Sequence, residues 1–150
     1  MANVSDLLKY SDQLQSISDS PQLDCELLLC YVLNVDRTWL RTWPEKPVSQ
    51  SLEAKFCALL EQRVQGQPVA YLVGSRGFWS MDLQVSQDTL IPRPETELLV
   101  ELALDLRLPK KSHALDLGTG TGAVALALAT ERPDMNFIAV DYQVGAVSLA

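Results

Sequence analysis

Positive charge, histidine and long apolar runs are what this sequence has least of. Its 150 residues carry 12 lysines and arginines against 19 aspartates and glutamates, a net charge of -7. A broad nucleic-acid surface needs clustered Lys and Arg, and Lys110-Lys111 with scattered arginines make no such stripe. Direct nucleic-acid binding is therefore not expected, and a protein partner or a small ligand fits the charge better. A single histidine, His113, argues against a zinc site. Cys25, Cys30 and Cys57 are odd in number and form no C-x-x-C pair, so they read as reduced core thiols of a cytoplasmic protein. No stretch approaches the roughly 18 consecutive apolar residues that cross a bilayer. The start, Met1 to Asp6, lacks the basic region and apolar run of a signal peptide, so no membrane contact is expected.

What is present is enough apolar material, 47% of the residues, for one domain or two small ones. The first 74 residues read as a helical module. Ser20-Pro21 predicts a helix start with a capping hydroxyl, followed by a face of Leu23, Leu27, Cys30 and Asn34. Leu28, Tyr31 and Val32 widen that face, which places the helix centrally in its bundle. Asp36 can cap a short helix carrying Trp39, Leu40 and Trp43, ended by Pro44 and Pro47. Ser49 opens another, with Leu52, Phe56, Leu59, Leu60 and Val64 inward and Gly66 as its stop. From Gly74 the pattern turns extended. Gly77 to Val85 predicts a hairpin turning near Ser80. Ile91-Pro92-Arg93-Pro94 is stiff, because each proline biases its predecessor towards extended geometry. Pro94 then suits a first helical position, with Glu95 and Glu97 in the first turn and an apolar stripe of Leu98, Leu99, Leu102 and Leu106. The divisions expected are a helical domain at 1–74, a hairpin linker at 75–91 and a nucleotide-type α/β domain at 92–150.

The strongest chemical signal lies in the third segment. His113 to Leu117 reads as a short buried strand, Gly118-Thr119-Gly120-Thr121-Gly122 as a turn, and the residues from Ala123 as an alanine-rich helix. Three glycines in five positions mark a backbone that bends tightly or approaches a ligand closely. At the carboxyl end of the first strand of an open α/β sheet, that is where nucleotide-like ligands bind. Gly118, Gly120 and Ala123 also satisfy the loose dinucleotide fingerprint, so charge must separate the candidates. A pyrophosphate would sit on the turn's amides, yet Asp116 puts a carboxylate two residues before the first glycine. That charge repels a diphosphate and attracts an ammonium or sulfonium. S-adenosylmethionine carries both and no phosphate. Asn136 to Val140 reads as the next parallel strand, ending in Asp141, which is placed to accept from both ribose hydroxyls of an adenosine, whether of the methyl donor or of NAD. The bland alternatives are a turn cap for Asp116 and a solvated strand end for Asp141.

Only two parallel strands are visible in this segment, and both faces of such a sheet need cover. The sequence is thus expected to be the front part of a longer natural protein.

Gly66-Gln67-Pro68-Val69-Ala70-Tyr71-Leu72-Val73-Gly74, Phe78-Trp79, Leu90 to Glu97 and Leu115 to Gly122 occur in one order. Together they closely resemble the bacterial peptide chain release factor glutamine methyltransferases, the HemK/PrmC family, along essentially the whole chain. Ile91-Pro92-Arg93-Pro94-Glu95-Thr96-Glu97 carries more of the likeness than the glycine turn, which many methyltransferases share. The resemblance implies a helical domain that recognises the release factor, a hairpin linker and a Rossmann-like catalytic domain. It implies transfer of a methyl group from S-adenosylmethionine to the side-chain amide of the glutamine in a Gly-Gly-Gln loop. By position, Gly118, Thr119, Gly120, Thr121 and Gly122 would form the cofactor turn, Asp141 would hold the ribose, Asp116 would lie near the methionine ammonium, and Ile91 to Glu97 would lie beside the pocket. For Arg93 and Glu95 the competing reading is a helix-start salt bridge. The family's Asn-Pro-Pro-Tyr motif, whose Asn side chain and proline carbonyl serve as acceptors, does not occur in these residues. No catalytic residue is therefore assigned.

The reading is a cytoplasmic, monomeric, S-adenosylmethionine-dependent protein methyltransferase acting on release factors. Its rivals are an adenine-directed nucleic-acid methyltransferase, disfavoured by charge and by the Arg93 segment, and a NAD-binding oxidoreductase, disfavoured by Asp116. A non-catalytic helical docking module with a nucleotide-type fold is the remaining alternative.

Overall fold

A computed structural model describes residues 2–150 and forms two compact units, one ending at Val73 and the other covering Gly74–Ala150. In the first unit, α1 (Val4–Leu8) runs into a 3-10 turn, Lys9–Leu14, and is followed by α2 (Pro21–Leu33), α3 (Arg37–Thr42), α4 (Gln50–Val64) and α5 (Val69–Val73). Asn3 and Asp6 form a capping box on α1, and Asp36 caps α3 by accepting from the Trp39 amide at 2.7 Å. Ser49 caps α4 through the Leu52 amide, and Gly66 follows its end with φ 95, a left-handed value that suits glycine.

Helix α2 is central, packing against the 3-10 turn, α1, α3, α4 and α5. Its inner face differs from the one expected. Cys25, Leu28, Leu29 and Val32 are buried, whereas Leu23, Leu27 and Cys30 are half-buried, Tyr31 is exposed and Asn34 is the left-handed C-cap at φ 54. A helix apolar on almost every side has no periodicity from which one face can be chosen. The Ser20 cap is also corrected. With φ -140 and ψ 60, Ser20 makes no side-chain capping bond, because it lacks the extended backbone that aims a hydroxyl at the first amides. The Ser18 hydroxyl instead accepts from the Ser20 amide and donates to Asp24. Elsewhere Phe56 and Leu60 point inward as expected and Leu40 is buried, while Val64, expected inward, is exposed, as is Trp43.

Two acids of α2, Asp24 and Glu26, are held by arginines. Arg63 Nε meets Asp24 Oδ2 at 2.8 Å and its other nitrogens donate to the carbonyls of Gln67 and Ile17. Glu26 is buried and accepts from Arg37 Nε at 2.6 Å. Neither charge is left unpaired, which is what makes burial of each tolerable.

All three cysteines are free thiols. Burial pushes the Cys25 thiol up to about 12, and its sulfur lies 3.6 Å from the Leu7 carbonyl. Because the thiolate is the reactive form, Cys25 is expected to resist iodoacetamide at about pH 8 in the folded protein and to react fully in urea. Mass mapping of the labelled peptides reads this directly; fast labelling of folded Cys25 contradicts it.

The second unit begins with an antiparallel hairpin, β1 (Ser75–Phe78) and β2 (Met81–Gln84), in which Phe78 faces Met81 across Trp79-Ser80. A 3-10 turn, Pro94–Thr96, leads into α6 (Glu97–Asp105). Then come β3 (His113–Leu117), α7 (Ala123–Glu131), β4 (Asn136–Val140) and α8 (Val144–Leu149). β3 and β4 are parallel, with Asp116 opposite Ala139 and Leu117 opposite Val140. This is a β-α-β unit. The small core is made of Phe78, Leu83, Val100, Ala123 and Ala127, so the hairpin packs with the α/β elements.

Helix α6 differs from its expected form in two ways. Pro94 opens a 3-10 turn, and the α-helix starts only at Glu97. Its buried residue is Val100, while Leu98, Leu99, Leu102 and Leu106 are all more than half exposed. α6 packs on α7, and the leucine stripe lies on a different side. One sheet face is open in the same way: Leu115, Leu117, Ile138 and Val140 alternate along β3 and β4 and are exposed.

Candidate functional site

The site grows from the end of β3. Gly118, Gly120 and Gly122 take φ values of 76, 58 and 76, a left-handed conformation that side chains rarely adopt. The turn is fixed to the neighbouring strand, since the amides of Gly118 and Thr119 both donate to the Val140 carbonyl, at 2.9 and 3.0 Å. Gly122 then serves as the N-cap of α7, with its amide donating to the Thr119 carbonyl at 2.9 Å. A Cβ at Gly118 or Gly120 would meet nothing within 4 Å, so the space over those two glycines is open. At Gly122 it would meet Leu126 Cδ1 at 3.0 Å and the Ala150 Cβ at 3.2 Å. The first two glycines border free space; the third borders packed protein.

The two acids lie at adjacent strand ends, as their register requires. Asp141 Oδ2 accepts from the Gly120 amide at 2.8 Å and Oδ1 from the Gln143 amide at 2.9 Å. The Gln143 and Gly120 amides hold its carboxyl below the usual carboxylate range, because a hydrogen bond to the charged form favours that form. Each oxygen keeps lone-pair capacity for a further donor. Asp116 Oδ2 accepts from the Thr119 hydroxyl at 2.7 Å, so this acid braces the turn through one of its oxygens. Among the described residues neither acid is in an ion pair. The turn is thus flanked by two uncompensated negative charges. Thr119 and Thr121 are buried within it. A cavity of about 210 Å³, mostly apolar, is walled by α7, β4 and α8 residues such as Leu126, Phe137 and Val147; it reaches the turn at Thr119 and Gly122, and neither acid lines it.

The structure brings Asp116, Gly118, Thr119, Gly120, Thr121, Gly122 and Asp141 into one cluster. The Arg93–Glu95 salt bridge does not form among the described residues; both side chains are exposed. Glu97 has a different task. It accepts from the Trp79 amide at 2.7 Å, while Glu131 at the end of α7 accepts from the Trp79 indole at 2.8 Å. Trp79 sits at φ 56, so these two bonds hold a strained hairpin turn in place. Nothing in the sequence pattern pointed to this clamp, because its partners are 18 and 52 residues away.

Comparison with known proteins accounts for both units. The family model described as the PrmC N-terminal domain matches residues 7–74, and the Methyltransferase small domain model matches residues 94–150. A protein of Aliivibrio fischeri named release factor glutamine methyltransferase is 56% identical over 99% of this chain and 53% of its own length. Proteins of the same name from Shewanella oneidensis and Pseudomonas aeruginosa are 52% and 50% identical, over 92% and 100% of this chain and 48% and 54% of their lengths. The chain spans about half the length of the curated relatives it matches. It belongs to the release factor glutamine methyltransferase family, whose N-terminal part it represents.

Proposed function

We propose that the whole protein methylates the side-chain amide of the glutamine in the Gly-Gly-Gln loop of peptide chain release factors, with S-adenosylmethionine as donor. In this reading residues 1–74 recognise the release factor, 75–91 link, and 92–150 supply the first part of the catalytic domain. The observation that carries it is the open glycine turn between Asp116 and Asp141, two acids with no partnering cation among the described residues. In such a site Asp116 favours a cationic adenosyl donor over a diphosphate. The names of the relatives support the same activity.

The residues present suit the donor. Gly118 and Gly120 leave room over the turn, Asp141 retains acceptor capacity for the ribose hydroxyls, and Asp116 supplies negative charge for the methionine ammonium. When bound, S-adenosylmethionine supplies an electrophilic methyl group on a sulfonium. This chain's share of the work is to bind and orient. An amide nitrogen is a poor nucleophile, its lone pair being delocalised into the carbonyl. Much of the rate gain must therefore come from holding nitrogen and methyl in line, with acceptors on the amide hydrogens. No residue of this chain is assigned to that acceptor role, and the isolated 150 residues are expected to transfer no methyl group.

The experiment is a methyl-transfer assay with the whole protein, labelled donor and a purified release factor. Incorporation that disappears when the loop glutamine is replaced supports the proposal. Equal labelling of the replaced substrate, or none of either, refutes it.

A further inference from the structure

Gly145 is the second residue of α8, and its φ is an ordinary helical one, so the backbone there does not call for glycine. What calls for it is a neighbour. A Cβ at this position would run into the Asp88 carboxylate, 2.6 Å from its Cγ and 2.9 Å from its Cβ. Rotating the carboxylate away relieves the first contact but not the second, which involves the root of the side chain. Asp88 is also held by its own loop. The Asp88 amide donates to the Ser86 hydroxyl at 3.2 Å, the Ser86 amide to Thr89 Oγ1 at 3.2 Å, and the buried Thr89 hydroxyl returns to the Ser86 carbonyl at 3.1 Å. The loop that leaves the hairpin and leads into Leu90–Glu97 is thereby seated on the first turn of α8.

That first turn is tied to the candidate pocket. Gln143, two residues before Gly145, donates its amide to Asp141 Oδ1, and Asp141 Oδ2 holds the Gly120 amide. We propose that Asp88 and Gly145 form a size-matched contact that sets the start of α8 and, through it, the position of Asp141 and the glycine turn. Asp88 is then a positioning residue for the cofactor pocket. This rests on the cofactor reading above, and the test separates the two.

Alanine ordinarily stabilises a helical position relative to glycine. Here Gly145→Ala in the whole protein is expected to lower Tm by about 4 °C, and in an Asp88→Gly background to raise it. A change of sign between backgrounds is the mark of direct coupling. In parallel, Gly145→Ala is expected to raise the Kd for S-adenosylhomocysteine about tenfold, and the double variant to return within about twofold of Asp88→Gly alone. A raised Tm for Gly145→Ala in the otherwise unaltered protein overturns the contact. A lowered Tm with unchanged Kd overturns the positioning role and leaves packing only. Failure of the unaltered protein to bind S-adenosylhomocysteine overturns the cofactor reading and the positioning role together, while the Tm sign still decides the contact.

Discussion

Asp141→Ala is expected to raise the Kd of the whole protein for S-adenosylmethionine about ten- to hundredfold, the range for loss of a charged hydrogen-bond partner. Two losses combine. The ribose hydroxyls lose their acceptor, and the Gly120 amide loses the oxygen that holds it at 2.8 Å, so the turn itself loosens. Asp141→Asn keeps one acceptor oxygen and should fall between the two. The pH dependence follows from the direction of the shift. The Asp141 carboxyl sits below its ordinary value of 3.8, so its stabilisation of the turn is complete above that value and fades as pH falls through the lower folded value. Affinity attributable to this group should therefore be flat from about pH 8 to pH 5. Isothermal titration over that range reads both arms. An unchanged Kd in Asp141→Ala removes this residue from the pocket.

Phe56→Ala should have the largest effect on stability, costing the helical unit about 3 to 5 kcal/mol. Phe56 is 0% exposed on α4 and lies in a cluster with Leu7, Leu28, Leu29 and Leu60. Its ring stacks on Tyr10 with centroids 6.3 Å apart, so truncation removes both buried area and an aromatic pair. A 73-residue unit that ends at Val73 cannot spare that amount from the stability usual for so small a core. Chemical denaturation of the whole protein, followed at the helical signal, should show an early transition for this unit. A loss below about 1 kcal/mol would mean that the Phe56 site collapses around the cavity, contrary to its close packing.

The glycine turn was legible because its cause is local. A left-handed backbone favours glycine for a reason internal to the residue, the clash of its own Cβ, and positions 118, 120 and 122 all have that conformation. Asp36 and Ser49 were legible for the same reason, each capping amides within three residues. The parallel strands were legible from short apolar runs, and their pairing places Asp116 and Asp141 at neighbouring ends. What failed depended on distant partners. Apolar spacing in α6 identified the stripe of Leu98, Leu99, Leu102 and Leu106 but not what lies against it, and Val100 faces the core instead. In α2 the apolar residues surround the axis, so no face could be selected. Ser20 looked like a cap by composition, yet its backbone angles turn the hydroxyl away. Asp88 against Gly145 leaves no mark in sequence at all. The two are 57 positions apart, and only the missing volume of a Cβ connects them.

The central claim is that Asp116, just ahead of a bare turn, selects a positively charged adenosyl donor, while Asp141 serves the ribose of any adenosine ligand. Calorimetric titration of the whole protein with S-adenosylmethionine and, separately, with NAD tests it most directly. The result expected is binding of S-adenosylmethionine at least about tenfold tighter than NAD. Tighter binding of NAD would contradict it, because a pyrophosphate would then be held where Asp116 should repel it.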